Sequence, residues 1–123
     1  MVQVILIGLG GFIGVIGRYG AGLLVNKLVS FPVGTLLINF IGSFLIGIMF
    51  ELSFCGVFTN EKMAAAITVG VLGGFTTFST FSLETLNLLE GGYALQAIIN
   101  IVASVALCVL AVFLGKTLVR AFV

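Results

Sequence analysis

The sequence has no histidine, no aspartate and no tryptophan, and charge of either sign is scarce. Five Lys/Arg and four Glu in 123 residues make 7% of the chain, with a net charge of +1. Without His or Asp the usual general bases and metal ligands are missing. This excludes a zinc site, a Ser-His-Asp triad and a His-ligated haem. Five scattered basic residues form no nucleic-acid patch. Two cysteines, Cys55 and Cys108, lie far apart in apolar sequence, too few for a disulfide or metal framework, and read as inert thiols. A soluble domain is about 25% charged. This chain, 61% hydrophobic with a mean hydropathy of +1.39, lacks the polar surface to stay in water. Its length limits it to one small domain.

What the sequence does have is long apolar runs. Charges mark their ends, and four segments emerge at approximately residues 2–25, 31–52, 62–84 and 92–117. Crossing a bilayer as a helix takes about 20 apolar residues. All four qualify, although the first must carry Arg18. Backbone polar groups in lipid must be satisfied internally, so helices are expected rather than strands. The expected fold is an all-α integral membrane protein, residues 1–123 forming a single four-helix transmembrane domain. The first span does not read as a signal peptide, because no basic residue precedes Arg18 and no small-residue cleavage site follows. The loops, at about residues 26–30, 54–61 and 84–92, are too short for a second domain.

With four spans, the N-terminus, the second loop and the C-terminus share one side. That side holds Lys62, Lys116 and Arg120; the other holds Lys27, plus Arg18 if it reaches the interface. Such a weak bias leaves two readings open: one fixed topology set by feeble signals, or insertion in both orientations. Seventeen glycines supply the small contacts that membrane helices need. Gly10 and Gly14, and Gly70 and Gly74, are spaced as GxxxG, and Ser43 and Gly47 as small-xxx-small. A bundle this small has hardly more interior than its own side chains fill. A solute pathway is therefore expected between two copies, which suits an antiparallel homodimer.

Polar residues at membrane depth are functional candidates by default. Thr35, Asn39 and Ser43 recur every four residues in the second span, as do Asn100, Ser104 and Cys108 in the fourth. Each trio shares roughly one helix face, so interhelical hydrogen bonding and a lined path both fit them. The third span reads Gly70-Val71-Leu72-Gly73-Gly74-Phe75-Thr76-Thr77-Phe78-Ser79-Thr80-Phe81-Ser82. Paired glycines followed by two β-branched threonines are poor helix material. This predicts a break near residues 73–77 at mid-membrane, with freed carbonyls able to meet a cation such as Na⁺. A kinked helix, its threonines bonded back to the i−4 carbonyl, is the competing reading. Phe75, Phe78 and Phe81 follow three apart, interleaved with hydroxyls. Aromatic rings have a positive edge. Edges turned to a narrow path favour a small anion, and the lack of a mid-span cation favours passage over trapping.

At this run the sequence resembles a known family. Residues 73–82, Gly-Gly-Phe-Thr-Thr-Phe-Ser-Thr-Phe-Ser, with Glu84 just after, closely resemble the signature of the Fluc (CrcB) fluoride channels. Gly10-Gly11-Phe12-Ile13-Gly14 with Arg18-Tyr19 also matches, as does Pro32-Val33-Gly34-Thr35-Leu36-Leu37-Ile38-Asn39 continuing to Gly42-Ser43-Phe44. The resemblance covers the whole chain. It implies a dual-topology antiparallel homodimer in a bacterial cell (inner) membrane, with two fluoride pores and a central structural Na⁺. By position it implies backbone carbonyls of Gly73 and Thr76 as the Na⁺ ligands. It assigns Phe78, Phe81 and Asn39 to the fluoride pathway, with a polar track at Ser79, Thr80, Ser82 and Ser104. Glu84 matches an acidic residue near a pore mouth. Arg18 matches a basic vestibule residue, with snorkelling to the interface as the alternative. Asn100 aligns where many members have Tyr, a departure in the fourth-span contribution. The implied physiology is passive export of fluoride through a leak that the membrane potential drives.

Two other classes compete. A small dual-topology multidrug or cation exporter needs a carboxylate deep in its first span, and Arg18 is the only charge in this one. A non-transporting membrane assembly subunit explains the small residues. It does not explain the Gly-Gly motif with phenylalanines and hydroxyls in phase. The partners expected are a second copy, fluoride and the lipid bilayer.

Overall fold

The structure, a computed structural model, describes residues 1–28 and 32–123. Its elements are all helical, and no strand occurs among the described residues. Helix α1 spans Val2–Leu28 and α2 spans Val33–Phe54. The third span is composite: α3 (Glu61–Ala65), a π-helical stretch (Ala66–Leu72), α4 (Gly73–Phe75), then α5 (Phe78–Glu90). Helix α6 spans Ala94–Phe122. Among the described residues, four units are long and apolar enough to cross a membrane: Val2–Leu28, Val33–Phe54, Glu61–Glu90 and Ala94–Phe122. At 1.5 Å per residue, the 27 residues of α1 extend about 40 Å, more than the hydrocarbon core of about 30 Å. The expected start of the second span at residue 31, and residues 29–30 of the first loop, lie outside the described residues.

Local chemistry starts and stops these helices. Asn60 caps α3, its side-chain oxygen accepting the Met63 amide at 3.1 Å, and Glu61 complements the positive helix end. After α5 the chain turns through Gly92 at φ +81°, a conformation that suits glycine.

Packing runs in two pairs: α2 lies along α6, and α1 lies along the π-helical stretch and α4. Both pairs use bare backbone. The two GxxxG pairs meet each other: a Cβ at Gly14 would collide with the Val71 carbonyl, one at Gly10 with the Ala66 carbonyl, and one at Gly74 would crowd the Gly11 carbonyl. Across the other pair, Gly47 sits on the Val112 carbonyl and Gly115 on the Phe44 carbonyl. Lipid gives no hydrophobic reward for associating helices, so this close approach is what makes dispersion contacts numerous enough to hold them.

One polar lock reinforces α2 against α6. Glu51 is 2% exposed and receives Arg120 Nε at 2.6 Å and Nη2 at 3.3 Å, with Lys116 Nζ at 3.6 Å. Lys116 also stands 4.5 Å above the Phe50 ring. A buried carboxylate needs such partners, and here two cations surround it. Helix α5 is tied to α6 by Asn100, 5% exposed, whose Nδ2 donates to Thr85 Oγ1 at 2.9 Å. The large apolar residues left exposed, such as Phe12, Leu24, Val69 and Phe113, suit contact with lipid.

Candidate functional site

The site is built around Thr76 and Thr77, between α4 and α5. Both are extended, at φ −82°, ψ 157° and φ −151°, ψ 119°. The local sequence favours this. The π-helical stretch already departs from the α-helical ladder, and two β-branched residues follow. Backbone polar groups at this depth need partners, and each one here has one. The Thr76 amide and hydroxyl both donate to the Leu72 carbonyl, at 3.0 and 2.9 Å. The Thr76 carbonyl accepts Arg18 Nη1 at 3.0 Å. The Thr77 amide donates to Asn39 Oδ1 at 2.8 Å, and its carbonyl accepts Asn39 Nδ2 at 3.0 Å. Three helical segments thus converge on two peptides.

Thr77 then starts α5. Its Oγ1 accepts the Thr80 amide at 3.2 Å, donates to Thr80 Oγ1 at 3.0 Å and lies 3.2 Å from Ser79 Oγ. This N-cap holds the first turn, on which Phe78 and Phe81 are carried. Their ring centroids are 5.3 Å apart with planes at 48°. Phe81 is 9% exposed whereas Phe78 is 76% exposed.

Two cavities flank these residues. The first, about 410 Å³, is lined by Asn39, Gly73, Thr76, Phe78, Phe81 and Ser104 among others, and none of its lining residues is charged. The second, about 340 Å³, is lined by Arg18, Tyr19, Thr35, Thr80 and Glu84 among others, so it holds both a cation and a carboxylate. Thr77 lines both. In the second cavity Thr35 Oγ1 donates to Glu84 Oε1 at 2.6 Å, while Glu84 Oε2 has no hydrogen-bond partner among the described residues.

The residues singled out from the sequence therefore divide. Asn39, Gly73, Thr76, Phe78, Phe81 and Ser104 gather at the first cavity, and Arg18, Thr80 and Glu84 at the second. Ser79 and Ser82 line neither; Ser82 Oγ is turned back to the Phe78 carbonyl at 2.9 Å. Asn100 is taken up by Thr85, away from both cavities. Sequence reasoning did not single out Thr77 as a site residue; the signal for it was its place as the last residue before an N-capped turn. Cys108 joins Ser104 on the first cavity wall, as their i, i+4 spacing allows.

Gly73 and Thr76 supply the carbonyl oxygens that a hard cation could use. In an unbroken helix the Thr77 amide would point at the Gly73 carbonyl; here it is bonded to Asn39. A carbonyl has two lone pairs, so Thr76 retains acceptor capacity beside its bond from Arg18. The residues present fit such an ion by donor chemistry.

A family model described as CrcB-like protein, Camphor Resistance (CrcB), matches residues 5–116. The chain belongs to the CrcB-like family. Among its relatives, a protein of Ruminiclostridium cellulolyticum named "Fluoride-specific ion channel FluC" is 50% identical over 98% of this chain and 94% of its own length. "Fluoride-specific ion channel FluC 1" of Methanosarcina acetivorans is 47% identical over 94% of this chain and 89% of its own. A FluC of Shewanella pealeana is 45% identical over 97% of both chains. With four helices able to cross a bilayer, this CrcB-like chain is a multi-pass membrane protein.

Proposed function

We propose that the chain is a fluoride-specific ion channel that passes F⁻ by electrodiffusion and so lowers cytoplasmic fluoride. The observation that carries this reading is the uncharged first cavity, whose wall brings Phe78 and Phe81 together with Asn39 and Ser104. A small anion entering it exchanges water for amide and hydroxyl donors and for the positive rims of two rings. No charged side chain lines that wall, so no Lys or Arg there traps the ion. The relatives' names point to the same ion.

In this reading the working unit is an antiparallel, dual-topology homodimer with two pores. The first cavity is open on one side of the single chain, and Phe78 stands 76% exposed there. A large aromatic beside an open polar groove suits closure by a second copy. The third span works as a helix broken at mid-membrane, its extended pair Thr76–Thr77 lining the first cavity while Arg18 and Asn39 hold the two carbonyls. Phe78, Phe81, Asn39 and Ser104 line the passage, and Ser79, Thr80 and Ser82 supply hydroxyls along α5. Arg18 and Glu84 line the second cavity, where the cation draws anions in and the carboxylate limits their residence. Gly73 and Thr76 would hold a Na⁺ through their carbonyls, and that ion supplies a fixed positive charge tying the two copies together. The site of action is the cell (inner) membrane.

Liposomes loaded with fluoride test the reading. Purified protein should release F⁻ rapidly and passively, with little release of Cl⁻. Proton-driven cation uptake instead indicates an exporter, and no transport of either kind indicates an assembly subunit.

A further inference from the structure

We infer that Asn39 is a positioning residue: its side-chain amide stands in for a neighbouring peptide at Thr77 and thereby sets the aim of α5. The hydrogen bonds carry this. Asn39 Oδ1 accepts the Thr77 amide at 2.8 Å and Asn39 Nδ2 donates to the Thr77 carbonyl at 3.0 Å. One side chain thus satisfies both backbone groups of a single extended residue, as a paired strand would. Thr77 is buried, which limits how far water can replace these bonds. Without them two polar groups are orphaned in an apolar surrounding, and the segment is driven towards continuous helix. The clamp thus decides between two backbone states.

The consequence passes through Thr77 to the path. Its hydroxyl caps α5 at the Thr80 amide and bonds the Thr80 hydroxyl. Phe78 follows it directly, and Phe81 lies three residues further on. Whatever fixes the Thr77 peptide plane therefore fixes where both rings point. The amide is chemically specific. Aspartate can accept from the Thr77 amide but cannot donate to its carbonyl, and alanine does neither. The oxygen and one N–H of Asn39 are spent in this way, leaving one N–H for the cavity.

The flux arm of the test rests on the channel reading; the backbone arm does not. Hydrogen–deuterium exchange resolved at the Thr77 amide, in detergent-solubilised protein, is measured beside liposome flux and F⁻/Cl⁻ discrimination. In the unsubstituted protein the Thr77 amide should be protected as well as amides within α2. Asn39→Ala should speed its exchange about tenfold or more and lower F⁻/Cl⁻ discrimination about tenfold, with exchange in α2 unchanged. Asn39→Asp should keep the Thr77 amide protected yet lose discrimination, because its carboxylate still accepts from that amide but repels both the Thr77 carbonyl and an entering anion. Free exchange at Thr77 in the unsubstituted protein overturns the proposal. So does an Asn39→Ala protein with reduced flux but a fully protected Thr77 amide, since Asn39 is then only a donor to the passing ion. If Asn39→Ala does not fold, exchange at the Thr77 amide of the unsubstituted protein decides: protection as in α2 supports the clamp, and free exchange overturns it. An unsubstituted protein that conducts no F⁻ but shows the expected exchange pattern overturns the channel reading and leaves the clamp standing.

Discussion

The two halves of the third span do opposite things with similar raw material. From residue 61 to residue 75 the chain lies against α1 backbone to backbone, through glycines on both sides with no room for a Cβ. From Phe78 to Glu90 it is richer in hydroxyls, packs on α6 through Asn100 and Thr85, and presents Phe78, Ser79, Thr80 and Ser82 as exposed residues. The first half is scaffold. The second is held at its base by Thr77 and at its side by one buried hydrogen bond, which leaves its other face free to line a cavity. The lesson is that small residues build the frame so that a neighbouring segment can spend large and polar side chains elsewhere.

The comparison breaks most severely at the glycines. Gly14→Ala drives a methyl group into the Val71 carbonyl, backbone that cannot swing aside. Overpacking of this kind costs about 1–3 kcal/mol. Thermal denaturation should show a clearly lowered midpoint. Gly20→Ala, with nothing near its Cβ position, should behave as the unsubstituted protein. Equal tolerance of both would remove the distinction between frame and path.

The phenylalanines sharpen it next. Phe78→Ala should lower F⁻ flux about tenfold, the effect of roughly 1.4 kcal/mol on a barrier, with the packing inside the chain left intact because that ring is exposed within it. Phe81→Ala should lower flux similarly and also reduce thermal stability, because its ring is buried and its removal leaves a cavity. Liposome efflux read beside a melting curve separates the two. Undiminished flux in both substitutions would end the role of the ring edges.

Smaller effects follow from single hydrogen bonds. Thr35→Val removes the donor to Glu84 Oε1. It should cost about 0.5–1.5 kcal/mol, the usual net worth of one hydrogen bond, since Glu84 is only half-buried, and a denaturation series reads this. The smallest effect is expected at Asn100→Ala, which loses the bond to Thr85. Interhelical hydrogen bonds in membranes average about 0.6 kcal/mol, so a slight fall in midpoint with unaltered F⁻/Cl⁻ discrimination is expected. A large loss of discrimination there would move Asn100 into the path.

Particular residues show how far the sequence could be read. Gly10, Gly14, Gly70 and Gly74 were legible as contact points because GxxxG spacing has one simple physical use, and they do meet. The trio Thr35, Asn39 and Ser43 was legible as a stripe but not as what it became. At 3.6 residues per turn, positions four apart drift about 40° each step. Thr35 therefore reaches Glu84 in one cavity, while Asn39 and Ser43 line the other. In the fourth span Asn100 parts from Ser104 and Cys108 in the same way. Arg18 was legible as a costly charge in an apolar span, but its partner 58 positions away was not.

Composition and periodicity by themselves determined that the chain crosses a membrane four times as helices, because apolar length and unsatisfied backbone leave no other solution in lipid. The motif at residues 73–82 is local as well, and it lies within the stretch, residues 5–116, that the family model matches. Tertiary structure alone decided which side chain meets which peptide: Arg18 at Thr76, Asn39 at Thr77, Arg120 and Lys116 at Glu51. These pairings depend on helix rotation and crossing depth, set by all contacts at once, whereas sequence spacing constrains only neighbours on one helix.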